Sequence, residues 1–137
     1  MNKKVVAVLA LALAGAAVWW TQNRQDSSGT GEPIVQVAVP SSLSPMAEQG
    51  KAAFDANCAS CHGPTGSGRD GLAPPLIHKI YEPSHHSDMA FTLAVRQGVR
   101  AHHWRFGNMA PVDGVSDTSI KAITSYIREL QRANGIQ

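Results

Sequence analysis

The stretch Cys58-Ala59-Ser60-Cys61-His62 constrains this chain more than any other. Two thiols stand three positions apart, and an imidazole follows at once. Thiols so spaced can add across the two vinyl groups of a haem to form thioethers, and the next histidine then lies where it can bind the iron. Three other readings compete. Cys58 and Cys61 are the only cysteines, so a four-ligand zinc site would need histidines at finger spacing. The histidines instead come as adjacent pairs, His85-His86 and His102-His103. A thioredoxin-like dithiol would want a βαβ pattern around it, and none is visible. A structural disulfide across two intervening residues is the third.

The context of the motif is small and nearly neutral. The first forty-odd of the 137 residues read differently from the rest, which suggests one domain plus an appendage. A domain of about ninety residues has a marginal apolar core by area scaling, and a buried porphyrin would enlarge it. From Met46 onward nine Lys/Arg face eight Asp/Glu, a net +1. That balance speaks against a nucleic-acid partner. Nothing in the chain reads as a hydrolytic triad, a phosphate loop or paired catalytic carboxylates.

The appendage reads as an export signal. Asn2-Lys3-Lys4 precedes an unbroken apolar run from Val5 to Trp20. Sixteen helical residues reach about 24 Å, slightly short of a usual span. Trp19 and Trp20 suit a membrane–water interface, with the lysines left inside. Residues 1–22 are therefore read as a signal anchor, with a cleaved signal peptide as the alternative. The location follows: the periplasmic side of a bacterial inner membrane, or the free periplasm after cleavage. Residues 23–44, rich in Gln, Ser, Gly and Pro, read as a flexible linker. Within it Ile34–Val39 is strand-like, either simply extended or packed on the domain.

The domain is expected over residues 45–137 and reads as all-α. Ser44-Pro45 offers a hydroxyl N-cap with proline at the first helical position, predicting a helix to about Ala56. Gly63 to Gly71 is loop, followed by a rigid Leu72-Ala73-Pro74-Pro75-Leu76. A short turn is predicted at Ile77–Tyr81. A helix should run from Asp88 to about Gln97, capped by Ser84 or Ser87 and stopped by Gly98. Phe91, Val95 and Val99 form its stripe, and Met89 reads as packing. Ser116-Asp117 starts the last helix, with Ile120, Ile123, Tyr126, Ile127 and Leu130 at helical spacing.

Cys58-Ala-Ser-Cys-His62, Ala73-Pro74-Pro75-Leu76 and Gly107-Asn108-Met109-Ala110-Pro111 together resemble a class I cytochrome c, over about residues 46–133. The resemblance implies N- and C-terminal helices crossing, with short helices and loops wrapped round one haem c bound through Cys58 and Cys61. Gly50 and Phe54 would then form the crossing. His62 and Met109 would be the axial metal ligands, the carbonyl of Pro74 would accept from His62, and the Trp104 indole would bond a haem propionate. The family usually has proline directly after this methionine, whereas here Ala110 intervenes. Arg100 and Arg105 are further candidates for the propionates.

The implied function is a single-electron carrier, whose partners would be redox proteins of a respiratory or periplasmic electron-transfer chain, with the inner membrane engaged through the N-terminal segment. Two alternatives stay open. One is a haem-based sensor or ligand-binding module, with the sixth position vacant or taken by His102 or His103. The other is a dedicated cytochrome subunit of an oxidase or reductase complex. The histidine pairs read first as surface or propionate-side residues. A copper or zinc site at His85-His86 is conceivable, but adjacent side chains point apart, which makes the pair a weak signal.

Overall fold

The computed structural model describes Gly15 and residues 30–137. The apolar run assigned to the membrane, Gly15 apart, and residues 23–29 of the linker lie outside the described residues. No helix among the described residues is long and apolar enough to cross a membrane.

Four α-helices and one 3-10 turn form the domain: α1 (Pro45–Asn57), α2 (Ala59–His62), the turn Lys79–Tyr81, α3 (Asp88–Gln97) and α4 (Asp117–Ala133). Among the described residues no strand forms, only isolated bridges between Arg69 and Ala73 and between Val99 and Met109. The caps follow the sequence signals. Ser44 accepts from the amide of Ala47, and Ser116 from that of Ser119, each satisfying a free N–H of a first turn. Gly98 closes α3 and Asn134 closes α4.

The core lies where α1 crosses α4. Ala47, Gly50 and Phe54 share one buried face of α1, and Ile120, Ile123, Tyr126, Ile127 and Leu130 supply the buried stripe of α4. Gly50 is required by this approach, because a Cβ there would run into the carbonyl of Ala122. Phe54 and Tyr126 tilt against one another with ring centroids 5.6 Å apart. Such a pair is worth about 0.5–1.5 kcal/mol beyond the area it buries. The Tyr126 hydroxyl donates to the carbonyl of Pro64 at 3.1 Å, tying α4 to the loop after the cysteine motif.

Two expectations change. Residues 31–44, read as linker, lie along the domain. The amide of Val35 bonds the carbonyl of Ser67, and Gly31 and Glu32 exchange backbone bonds with Asp70. Asn134 brackets Ala38, accepting from its amide and donating to its carbonyl. Val37 and Leu43 pack on the core, so Ile34–Val39 is extended and packed at once. Its partners are loop and helix-end groups, which leave no strand to pair with. Met89, read as packing, is 62 % exposed, because α3 turns its Phe91–Val95 side towards α4.

Candidate functional site

α1 ends at Asn57, and Cys58 turns the chain into the four-residue helix that carries Cys61 and His62. This short element is held from the following loop. The carbonyl of His62 accepts from the amide of Gly68 at 2.8 Å, and that of Ser60 accepts from the Arg69 guanidinium at 2.9 Å. Arg69 also donates to Gly31, so one side chain joins the motif, its loop and the N-terminal strap. Sequence reading missed it, since an arginine among glycines looks like a solvated loop residue.

Cys58 is half-buried and Cys61 exposed. Burial, with Cys61 beside it, pushes the Cys58 thiol up to about 11. A catalytic or redox dithiol needs the opposite, a stabilised thiolate. Cys58 thus does not present the stabilised thiolate of such a dithiol.

His62 is buried, and its Nδ1 lies 2.9 Å from the carbonyl of Pro74. A carbonyl only accepts, so Nδ1 carries the proton and the lone pair is on Nε2. Burial lowers the imidazole's pKa, against the opposing effect of the Pro74 bond, and favours the neutral ring a metal requires. A hydrogen bond of this kind fixes ring orientation and raises ligand basicity.

Met109 is half-buried, on the loop after α3. Its amide and carbonyl each pair with Val99 at 2.9 Å. Gly98, at φ +73, makes this possible, since a Cβ there would meet the Met109 carbonyl and Pro111. The backbone of Met109 is thereby fixed to the end of α3, which Val95 and Phe91 anchor in the core.

Trp104 packs edge-on against His78 at 5.1 Å and stacks with Phe106 at 6.0 Å. Its Nε1 is buried and makes no hydrogen bond of good geometry among the described residues, although the Tyr81 hydroxyl lies close enough for the indole N–H to offset part of the effect of burial on the Tyr81 pKa. A buried donor without a partner costs about 1–3 kcal/mol. A haem propionate would bring an acceptor, so the residues present fit the group. Arg100 and Arg105 are exposed.

Arg128 and Gln131 were also missed. Both are buried on α4. Arg128 donates to Asp88, to the carbonyls of Tyr81 and His86, and to Gln131, with its guanidinium 4.9 Å from the centre of the Phe91 ring. Gln131 donates to the carbonyls of Leu76 and Tyr81. The segment from Leu76 to Asp88, poor in regular structure, is thus tied to α4 by two polar side chains.

A family model described as cytochrome c matches residues 47–131, more than half of the chain. No curated protein and no solved structure matches it. The match spans the cysteine motif, the Pro74 loop, the Met109 loop and both crossing helices. The chain belongs to the cytochrome c family, with an all-α fold, a haem c bound covalently through Cys58 and Cys61, and electron transfer as its chemistry.

Proposed function

We propose that this protein is a single-electron carrier whose haem iron is held by His62 on one side and Met109 on the other. The observation that carries the reading is the 2.9 Å contact between His62 Nδ1 and the Pro74 carbonyl, which leaves Nε2 as the free donor directly after the second cysteine. When bound, the haem supplies an iron that exchanges one electron between its ferric and ferrous states. The remaining work belongs to the chain. Pro74 orients His62, the Val99 pairing fixes the backbone of Met109, and the Trp104 N–H offers a donor for a propionate.

A thioether opposite a histidine favours the ferrous state and raises the reduction potential. If His62 and Met109 both hold the iron, small molecules would find no open site, which suits a carrier and not an enzyme. His102 and His103 support this assignment indirectly: their rings engage His85 and His86 instead of standing alone beside the Met109 loop. We further read the protein as facing the periplasm and held at the inner membrane by residues 1–22, with redox proteins as partners. Interfaces of such carriers are small and dissociate quickly, and a tether would raise the effective concentration at a membrane partner. Release from membranes by detergent but not by salt is the result expected of an anchor.

Carbon monoxide tests the ligation. The reduced protein should show no rapid spectral change on its addition. Rapid formation of a CO complex would mean an open or weakly held sixth position and favour the sensor reading.

A further inference from the structure

The two histidine pairs are unused by the haem site, and they meet in space. His85 and His86 end the turn that follows Tyr81, where both amides bond the carbonyl of Glu82. His102 and His103 come from the loop on the far side of α3. Ring centroids lie 5.4 Å apart for His85 and His103, 5.2 Å for His86 and His103, and 4.1 Å for His102 and His103. One nitrogen from each of His85, His86 and His103 falls within 4.8 Å of the other two.

We propose that His85, His86 and His103 bind one divalent transition-metal ion of the imidazole-preferring kind, Cu(II) or Zn(II), with His102 beside them as a fourth imidazole. The donor set is nitrogen only, which suits these ions and not magnesium or calcium, whose sites are built from oxygen. Copper(II) should bind more tightly than zinc(II) by the usual order of divalent affinities. Tautomers are already set at two rings. Nδ1 of His86 donates to the carbonyl of Ile80 at 2.7 Å, and Nδ1 of His102 to that of Arg100 at 2.8 Å. Each bond leaves the lone pair on Nε2, the arrangement common at histidine metal ligands. Tetrahedral ligands at about 2.05 Å from zinc are about 3.3 Å apart, so each nitrogen pair has at most about 1.5 Å to close from the observed 4.8 Å. His85 and His103 are exposed and free to turn, while His86 is half-buried and fixed.

Such an ion would join two loops separated along the chain by the whole of α3. It involves none of Cys58, Cys61, His62 and Met109, so it stands or falls apart from the ligation proposed above.

Calorimetric titration of the untagged, haem-loaded protein with zinc(II), and copper(II) titration followed by electron paramagnetic resonance, test the site. One equivalent per chain should bind, with nitrogen splitting on the copper signal and no change in the haem absorption bands. His85→Ala and His103→Ala should each weaken zinc binding about tenfold or more, with unaltered haem spectra showing that the variants are folded. Absence of binding to the wild type, or undiminished binding by the double variant, overturns the proposal.

Discussion

At the scale of single residues the site is a set of polar atoms whose partners are fixed in advance. His62 has one ring nitrogen committed to Pro74, and burial keeps the ring neutral. Trp104 has its N–H buried, with no well-formed hydrogen bond to a described residue. Trp104→Phe keeps most of the ring and removes the donor. It should lower the urea stability of the haem-loaded protein by about 1.5–3 kcal/mol, the range for a hydrogen bond to a charged acceptor. No change in the unfolding midpoint would show that the indole meets no propionate. Cys58, Cys61 and His62 stand out in the sequence because their spacing carries their chemistry, whereas Pro74, Trp104 and Met109 are singled out through the family resemblance, and of these the structure brings Pro74 into contact with His62. Arg69 and Arg128 do not stand out. Their roles depend on backbone carbonyls, which every residue possesses and no sequence pattern marks.

At the scale of elements, the α1–α4 crossing sets the frame. Gly50→Ala puts a methyl group where the Ala122 carbonyl lies, so the helices must move apart. Overpacking of this kind costs about 1–3 kcal/mol and occasionally more. Thermal unfolding of the haem-loaded variant should show a clear drop in Tm, and an unchanged Tm would mean that the crossing is loose. Helix bounds followed closely from caps and stops, as at Ser44, Ser116, Gly98 and Asn134. The strap at residues 31–44 did not. Its composition is that of a tether, and only its hydrogen bonds to Ser67, Asp70 and Asn134 bind it to the domain. The histidine cluster escaped for the reverse reason. Each pair alone looks like exposed surface, and only the return of the chain after α3 brings the two together.

For the whole molecule, acid stability can be traced to the junction between α1 and α4. Ser44 caps α1 and also bonds Glu129 of α4, its hydroxyl donating at 2.6 Å and its amide at 3.0 Å. These bonds hold the Glu129 carboxyl below the usual carboxylate range. A carboxyl whose pKa is lower in the folded state stabilises that state above its unfolded value, about 4.3 for glutamate. That contribution fades as pH falls through the folded value. Glu129→Gln should therefore flatten the loss of stability in acid, with a small change at neutral pH because the group is partly solvated. Equal acid sensitivity in wild type and variant would remove Glu129 from this role.

The two residues proposed to hold the iron come from opposite halves of the domain, His62 at the end of α2 and Met109 in the loop after α3, and both loops are anchored to the frame of α1, α3 and α4. The most direct measurement is the near-infrared absorption of the ferric protein. A weak sulfur-to-iron charge-transfer band, lost in Met109→Ala, is the predicted result; a wild-type spectrum without that band would contradict the account.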